Sequence, residues 1–528
     1  MPRKSSKNSA SGLRQPAAPS NFRTRYGGDV VLRFNLTTLD EAEALSEAAD
    51  ILYLDIWEMT ENWMDIRVAK DVVPSFLGLL PPSLHNAYTP LMHDLAQAVY
   101  DTYPSSSPAE DRPIWSRLTT APVSTSDVNA PHDLFFRDYQ PLSVIYPWLR
   151  MMAALYPDYT SLTSIGLSAE GRDIPALRIG TPADSDSDDT RDTLLLVGGA
   201  HAREWISVST SCYVAYSLLT KYGHPRFPYV TELLDHFDLV FIPILNPDGY
   251  DYTWTDDRLW RKNRQSTSLP FCPGIDLDRA FRFAWDGDHS TDNACSDDYA
   301  GTGPLSAVEA RRLTDWARAE TENNNVSFVG YLDFHSYSQQ ILYPYSYTCV
   351  LRPPNLEDLE EVGLGLAKSF RLTYGRYYGV SSACDSSIAR QDKEDKRKKK
   401  KRAIGPLEPQ GGSPLDFFHH DLGVKLAFQI KLRDTGTYGF LLPKSEIQPT
   451  GNEAFEAVLG LGKWLLGDHG IESVDAPDGR GSTPRNMRTS STSPSTETTP
   501  IVVEGEGGQG GRHDDAFDFE ELRRRRRR

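Results

Sequence analysis

In the first hundred residues, strand-like and helix-like hydrophobic patterns follow one another, and together they predict a small α+β region over residues 25–105. Apolar side chains at every second position are typical of strands, and apolar side chains spaced three and four apart are typical of helices. Thr38, followed by Asp40 and Glu41, predicts the N-terminus of the first helix. The pattern predicts strands at residues 29–34, 51–57 and 63–68, and helices at residues 39–49 and 72–80.

Beyond residue 130, short apolar runs have the length of buried strands. One of these runs leads through Gly198, Gly199 and Ala200, which permit a tight turn, into an amphipathic stretch. The pattern predicts strands at residues 193–197, 239–244 and 328–335, a helix at residues 205–222 and a turn at residues 246–250.

The composition limits which classes of protein the chain can belong to. Its 528 residues leave room for one large domain, or for two domains with tails. A hydrophobic content of 39% is enough for a buried core, and a net charge of −17 argues against a nucleic-acid partner. No apolar run has the length of a transmembrane helix.

Several polar stretches set the expected domain boundaries. Residues 1–24 are predicted to be disordered and lack the apolar centre of a signal peptide. Residues 106–130, rich in Ser, Pro and Asp, are predicted to be a linker, and residues 469–528 a disordered tail. The basic stretch 390–402 is interpreted as a solvated loop, with a nuclear-localisation or polyanion-binding patch as the alternative.

A His and a Glu lie three residues apart between the strand at 193–197 and the following helix. An imidazole nitrogen of His201 and a carboxylate oxygen of Glu204 are both good zinc ligands, and the corner can aim them at one point. A catalytic zinc takes three protein ligands, and His335, at the end of another strand-like run, is the best third candidate. An isolated match of this kind would more often be a surface His and a capping Glu.

Further segments make the pattern specific. They are NPDGY at residues 246–250, RLWRK at 258–262, CPGIDLDR at 272–279, HSYSQ at 335–339 and LRDTGTYGFLLP at 432–443. Taken in this order, they resemble the zinc metallocarboxypeptidases typified by the pancreatic carboxypeptidases A and B, over roughly residues 130–468. Within that group, the chain is most similar to fungal metallocarboxypeptidase-like proteins described as inactive and linked to cell-wall organisation.

The resemblance implies a fold and a set of site residues. The expected fold is α/β, with a mixed, twisted, eight-stranded sheet flanked by helices, preceded by a small α+β open-sandwich pro-segment at residues 25–105. The main domain would occupy residues 131–468. One zinc ion would be held by His201, Glu204 and His335. Substrate-binding positions would be Arg203, Arg261, Asp278, Arg279, Ser336 and Tyr337, and a disulfide would join Cys272 to Cys295.

One position departs from the family pattern in a way that concerns catalysis. In the segment F-x-x-E-L-R-D-T-G the family places the general base, and here that residue is Lys431. An ammonium group has three donors and no acceptor, so it cannot take a proton from water. Two unit charges ~4 Å apart at an effective dielectric of ~20 interact by about 4 kcal/mol, and zinc carries two charges. Loss of a general base costs about 10²–10⁴ in rate, and reversal of its charge should cost more.

Two further departures point the same way. Asp278 replaces the asparagine that family members usually place before the carboxylate-binding arginine, and its charge would partly neutralise Arg279. The tyrosine that caps bound substrate in the family is absent from the stretch 405–413. These departures predict a pseudoenzyme with no catalytic residue that keeps a zinc site. The resemblance to the fungal proteins further implies a binding or scaffolding role in fungal cell-wall organisation and biogenesis. The alternatives are an active carboxypeptidase with an altered mechanism and a zinc-stabilised structural protein without a ligand in its cleft.

Partners and location follow from the resemblance. Expected partners are peptide C-termini or cell-wall components, with no nucleic acid, no transmembrane segment and a monomeric state. The expected location is secreted or vacuolar, and the sequons at Asn35 and Asn325 agree with a glycoprotein. Cys349 and Cys384 could form a second disulfide, and Cys212 is expected to be a buried free thiol. His419 and His420 suit ordinary packing and exposure better than a second metal site.

Overall fold

A computed structural model describes residues 19, 21–60, 62–104, 132–181, 190–285, 293–386 and 410–467. The predictions for the linker at residues 106–130, the basic stretch at 390–402 and the tail at 469–528 lie outside the described residues. Most of the predicted disordered segment 1–24 also lies outside them, but its last residues belong to a short helix that begins at Phe22.

The N-terminal region, residues 21–104, is a four-stranded antiparallel sheet in the order β2-β3-β1-β4. Two helices, α2 and α3, cover one face, where Phe34, Leu45, Ile66 and Phe76 form a core of their own. Its strands are β1 (Asp29–Asn35), β2 (Asp55–Met59), β3 (Trp63–Ala69) and β4 (Tyr88–Met92). Its helices are α1 (Phe22–Tyr26), α2 (Leu39–Leu52), α3 (Val73–Leu79) and α4 (Leu95–Thr102).

The predicted start of α2 is confirmed, whereas its predicted end is wrong. Thr38 caps the helix, because its side chain accepts a hydrogen bond from the backbone N–H of Glu41. The run at residues 51–57 was expected to be a strand throughout, but Ile51 and Leu52 form the last turn of α2. Tyr53 then adopts the left-handed conformation at φ 53°, which ends the helix two residues before β2 begins.

The main domain is built on the predicted mixed sheet of eight strands, in the order β11-β10-β12-β9-β7-β8-β6-β5. The central strands β12, β9, β7 and β8 are parallel, and antiparallel pairs lie on both sides of them. The strands are β5 (Thr160–Leu167), β6 (Asp173–Ile179), β7 (Arg191–Gly198), β8 (Asp238–Ile242), β9 (Val326–Ser336), β10 (Gln340–Tyr343), β11 (Gly379–Ser382) and β12 (Leu426–Leu432).

Helices pack on both faces of this sheet, as the fold prediction required. Successive residues of β7 point to opposite faces, so Leu194 and Leu196 enter one core while Leu195 and Val197 enter the other. The helices are α5 (His132–Phe135), α6 (Leu142–Leu155), α7 (Trp205–Lys221), α8 (Pro228–His236), α9 (Pro247–Thr255), α10 (Val308–Asn323), α11 (Leu356–Tyr374), α12 (Ala383–Ser386), α13 (Pro414–Asp416) and α14 (Ile447–Leu465), and a π-helical turn follows α13 at Phe417–Asp421.

The predicted turn at residues 246–250 is the first turn of α9. Asn246 caps this helix by accepting a hydrogen bond from the N–H of Gly249 at 2.9 Å, and Pro247 occupies the first helical position. Asn followed by Pro is typical both of turns and of helix N-termini, and here it begins a helix.

The cysteines pair as the sequence suggested. Disulfides join Cys272 to Cys295, with their Cα atoms 4.8 Å apart, and Cys349 to Cys384, with their Cα atoms 5.3 Å apart. Cys212 is a buried free thiol on α7. Within the described part of the chain, no helix is both long enough and apolar enough to cross a membrane.

One of the two hydrophobic cores of the main domain extends into the N-terminal region. Trp57 of β2 and Leu95 and Val99 of α4 are buried in the same cluster as Trp205 and Trp254 of the main domain. Tyr103 packs edge-on against both of these tryptophans and donates its hydroxyl hydrogen bond to the carbonyl of Thr253 at 2.8 Å. The N-terminal region is therefore packed against the main domain through buried apolar side chains.

Candidate functional site

Three neighbouring parallel strands end at one edge of the main sheet. They lie in the order β12-β9-β7, and the carboxyl ends of parallel strands are where side chains converge in sheets of this kind. His201 follows β7, Glu204 occupies the N-cap position of α7, and His335 is the second-last residue of β9. The strand order thus brings the three expected zinc ligands to the same place.

The ligand atoms of these three residues form a buried cluster in which all lie within 4.8 Å of one another. Nδ1 of His201 lies 2.9 Å from Oε1 of Glu204 and 3.1 Å from Nδ1 of His335. Nδ1 of His335 is 3.1 Å from Oε2 of Glu204, which also accepts the backbone N–H of Ser336 at 3.0 Å. Two imidazole nitrogens and a carboxylate that face one point are a donor set that suits zinc.

Two aspartates stand behind the histidines. Oδ1 of Asp276 lies 2.9 Å from Nε2 of His201, and Oδ1 of Asp333 lies 3.2 Å from Nε2 of His335. A carboxylate at Nε2 favours the tautomer with its proton there, which leaves the Nδ1 lone pair facing the cluster. The hydrogen bond from Asp276 therefore orients His201 as a metal ligand usually is, whereas Asp333 places a negative charge beside His335 without a hydrogen bond to its Nε2.

The charges of the cluster shift the pKa values of its members. Burial alone would raise the pKa of Glu204, but His201 and His335 outweigh burial and hold that pKa well below its ordinary value. Burial alone would lower the pKa of His335, but Asp333 and Glu204 outweigh it and raise that pKa well above its ordinary value. The pocket therefore favours an ionised carboxylate and a positive charge next to it, and a cation at the cluster would compete with protons.

Lys431 lies on β12 in register with His335 on β9. Its Nζ atom donates to both carboxylate oxygens of Glu58, at 2.9 and 3.0 Å. Glu58 belongs to β2 of the N-terminal region. Lys431 thus occupies the position that the sequence motif assigns to a general base. There it forms an ion pair with Glu58, which connects the main domain to the N-terminal region.

Residues 145–457 match the sequence model of the zinc carboxypeptidases, peptidase family M14. The chain belongs to this family. It is 54% identical over 461 residues to a protein of Blastomyces gilchristii named inactive metallocarboxypeptidase ECM14, a match that covers 87% of this chain and 76% of that protein. A protein of the same name from Sclerotinia sclerotiorum is 53% identical over 465 residues, with 87% and 76% covered.

Solved structures of the family have the same fold. Thrombin activatable fibrinolysis inhibitor superimposes with a TM-score of 0.66 at 27% identity, covering 83% of this chain and 99% of its own. Carboxypeptidase A from Helicoverpa armigera superimposes with a TM-score of 0.64 at 22% identity, covering 83% and 97%. Both matches extend well beyond the main domain, so the likeness includes much of the N-terminal region.

This family member is a pseudoenzyme. Relatives at 53–54% identity carry the name inactive metallocarboxypeptidase, and Lys431 stands where the family motif has its glutamate. A lysine paired with Glu58 donates hydrogen bonds to a carboxylate and has no lone pair to offer to water. The predictions of family, fold and inactivity are confirmed.

Asp278 and Arg279, both at expected substrate-binding positions, lie side by side on one 3₁₀ turn (Leu277–Arg279). Asp278 accepts hydrogen bonds from the amide of Gln429 at 3.2 Å and from the hydroxyl of Ser413 at 3.4 Å. Among the residues that the structure describes, Asp278 and Arg279 form no ion pair, and the partial neutralisation of Arg279 by the neighbouring charge stays a prediction.

The other two arginines of the expected site are tied to acidic partners. Arg261 donates to Oδ2 of Asp276 at 2.9 Å, and Asp276 thus joins this arginine to His201. Arg203 is fully buried and donates to Oδ1 of Asp55, on β2, at 3.0 Å. Arg203 therefore contacts the N-terminal region where the sequence analysis placed substrate.

Ser336 and Tyr337, expected to line the outer subsites, are both buried, and Tyr337 contacts the N-terminal region. The hydroxyl of Tyr337 donates to Oδ2 of Asp65 at 2.6 Å, and its ring lies parallel to that of Trp63 at 6.4 Å. The hairpin of β2 and β3 therefore covers this side of the cleft.

The neighbouring residues His419 and His420 contact different partners. His419 lies 3.0 Å from the carbonyl of Val424, and the ring of His420 stacks on Phe283 at 3.9 Å. Neither belongs to a metal-binding group among the described residues, in agreement with the expectation of ordinary packing.

The sequence analysis missed the supporting carboxylates. Asp333 lies two residues before His335 on β9, so the period of a strand places both side chains on one face, which could have revealed it. Asp276 lies two residues before Asp278 in a segment that was already singled out. No local signal connects Lys431 to Glu58, because the two residues are 373 positions apart.

Proposed function

We propose that this chain holds one zinc ion at His201, Glu204 and His335 and uses its cleft to bind a ligand without cutting it. The observation that carries the proposal is the combination of three convergent ligand atoms with a lysine at the general-base position. The expected role is binding or scaffolding in fungal cell-wall organisation. The expected location is secreted or vacuolar.

The residues present fit a zinc ion by their chemistry. The Nδ1 atoms of the two histidines lie 3.1 Å apart, and on the far side of the rings Asp276 is hydrogen-bonded to His201 and Asp333 lies 3.2 Å from His335. A bound zinc would supply Lewis acidity and charge at this point. The three ligands would hold the ion, Asp276 orients His201 through a hydrogen bond, and Asp333 places a negative charge beside His335.

The chain's own residues account for the lack of turnover. Hydrolysis needs a group that accepts a proton from water, and Lys431 donates to Glu58 instead. The hairpin of β2 and β3 contacts Arg203 and Tyr337, which excludes a peptide from those positions while it is in place. Binding partners in this proposal are peptide C-termini or cell-wall components.

The test combines metal analysis with an activity assay on the purified full chain. We expect one zinc per chain and no release of C-terminal residues from a panel of peptides. A double variant, His201→Ala with His335→Ala, should lose the metal and serves as the reference for background zinc. Chelator-sensitive turnover by the unchanged chain would contradict the proposal.

A binding measurement separates the two inactive alternatives. Peptides with free C-termini, titrated against the zinc-loaded chain, should bind if the cleft has a ligand. Peptides with amidated C-termini are the matched controls for recognition of the carboxylate. A zinc-loaded chain that binds none of them, with or without cleavage of the linker, would favour a purely structural role for the metal.

A further inference from the structure

Lys431 lies in a setting made for a carboxylate side chain. Its ammonium donates to both oxygens of Glu58, at 2.9 and 3.0 Å, and Oε1 of Glu58 also accepts the N–H of Met59 at 3.1 Å. The side chains of Lys431 and Glu58 are only 21% and 9% exposed. A charged pair so far removed from water persists only when each charge has its partner.

The same hairpin brings two more carboxylates to the cleft. Asp55 accepts from the buried Arg203 at 3.0 Å, and Asp65 accepts from the hydroxyl of Tyr337 at 2.6 Å. Three acidic side chains of β2 and β3 thus meet three donors that line the site. The main domain recognises its N-terminal region at this point through carboxylate groups.

The position of Lys431 also affects the metal cluster. It is in register with His335 on the adjacent strand, and neighbouring strands lie only about 4.8 Å apart. An unpaired ammonium there would repel a divalent cation. The carboxylate of Glu58 compensates this charge, so that a cationic residue and a metal ion can occupy the same cleft.

We propose that the cleft is a receptor for a carboxylate side chain, in which Lys431 is the binding residue and Glu58 is the resident ligand. Lys431, which replaces the general-base glutamate, gives the site a new specificity for an acidic group on a peptide. When Glu58 is absent, a free carboxylate or an acidic side chain of another segment takes its place. The proposed receptor depends on the proposed function in one respect, namely that the cleft binds a ligand without cleaving it.

Chemical rescue of the full chain tests this inference. Glu58→Ala removes the side chain and leaves Lys431 without its partner, so the melting temperature should fall. Acetate and propionate, which match the lost group, should raise it again with half-saturation at about 1–100 mM, as expected for ligands of so few atoms. Chloride at the same ionic strength should not.

Two control variants show whether acetate acts through Lys431. In Glu58→Ala with Lys431→Met, acetate should have no effect, because the receptor is lost. In Asp138→Ala, which removes the carboxylate from another lysine pair (Asp138 with Lys444, 2.7 Å, outside the cleft), acetate should also have no effect. Rescue that persists without Lys431 would place acetate on the metal and overturn the proposal, as would equal rescue by chloride.

If Glu58→Ala does not fold, exchanging the charges of Glu58 and Lys431 provides a second test of the proposal. Glu58→Lys should destabilise the chain, and Glu58→Lys with Lys431→Glu should recover much of the loss, because the pair is restored in reverse. Failure of the exchange to recover stability would overturn the proposal. Turnover and zinc content, measured on the unchanged chain, test the proposed function separately from both experiments.

Discussion

The imidazole of His201 and the carboxylate of Asp276 are joined by a hydrogen bond of 2.9 Å at Nε2. The other oxygen of Asp276 accepts from Arg261 at 2.9 Å, and the aspartate is fully buried. Burial alone would raise the pKa of Asp276, but Arg261 and His201 outweigh it and hold that pKa well below its ordinary value. Asp276 is therefore a charged support that fixes the ring orientation of His201.

Loss of this support should weaken metal binding. Asp276→Asn keeps the shape of the side chain but removes its charge, and supporting carboxylates of this kind are worth about 10–100-fold in metal affinity. We expect a decrease of that size in zinc affinity, measured by competition with a chromophoric chelator. Asp251→Asn, which alters an exposed partner of Arg172, is the control. Equal zinc affinities for the two variants would contradict an orienting role.

Restoring the family glutamate should not restore an enzyme. Lys431→Glu, alone or with Asp278→Asn, is expected to give little release of C-terminal residues, because the N-terminal region still covers the cleft and the capping tyrosine is absent. Robust chelator-sensitive hydrolysis by the single variant would show that Lys431 alone accounts for the inactivity.

The same substitution should destabilise the chain. It removes a partly buried ion pair and sets the new carboxylate against Glu58, so the free energy of unfolding should fall by about 1–3 kcal/mol. Urea unfolding of the unchanged chain and of Lys431→Glu measures the difference. Lys431→Met, which breaks the pair without creating the repulsion, should lose less, and an equal loss would argue against the repulsion.

The sequence predicted those parts of the site whose residues are close together in the chain. The ordered set of short motifs, and the family resemblance that they carry, predicted the metal cluster of His201, Glu204 and His335 and the missing base at Lys431. What Lys431 contacts could not be predicted, because Glu58 lies 373 positions away and its own strand gives no sign of a partner. Long-range ion pairs depend on how two folded parts dock, which no local period encodes.

The errors in the fold prediction have local causes. The apolar run at residues 51–57 contains the end of a helix and the start of a strand, and periodicity alone cannot divide so short a run. The left-handed Tyr53 makes the division, and a tyrosine is an uncommon residue for that conformation. At residues 246–250, Asn followed by Pro and Gly predicts a turn, while the same Asn also caps a helix.

The contact between the two parts of the chain should depend on pH. Asp297 of the main domain lies 3.5 Å from Arg203, and its partial burial together with the charge of Asp55 raises the pKa of Asp297 to about 6. A carboxyl group whose pKa is raised on folding contributes stability that is fully present below its unfolded pKa of about 3.9 and is lost as the pH rises through about 6. The side chain is 46% exposed, so solvent reduces the effect.

Urea unfolding between pH 4 and pH 7 measures this dependence. The free energy of unfolding of the unchanged chain should fall more over this range than that of Asp297→Asn, which cannot ionise. Asp235→Asn, which alters an exposed partner of Tyr222, is the matched control and should follow the unchanged chain. If Asp297→Asn shows the full pH dependence, other groups cause it.

A buried arginine should contribute more to stability than any exposed one. Arg258 is fully buried and donates to the carbonyl of Arg203 at 2.7 Å, to that of Phe440 at 2.9 Å and to the hydroxyl of Thr102 at 3.2 Å. Its guanidinium also lies 3.7 Å above the ring of Trp205, and burial lowers the pKa of Arg258 to about 10. It therefore joins α4 of the N-terminal region to a loop and a 3₁₀ turn (Gly439–Leu441) of the main domain.

Arg258→Met should lower the free energy of unfolding by about 3 kcal/mol, because each buried carbonyl left without a donor costs about 1–3 kcal/mol. Arg264→Met is the matched control, since Arg264 lies 3.8 Å from the ring of Tyr252 and should lose no more than about 1 kcal/mol. Arg258→Lys should recover only part of the loss, because an ammonium lacks the planar fork that reaches all three acceptors. Equal losses for Arg258→Met and Arg264→Met in urea unfolding would mean that the three hydrogen bonds add nothing beyond contact with an aromatic ring.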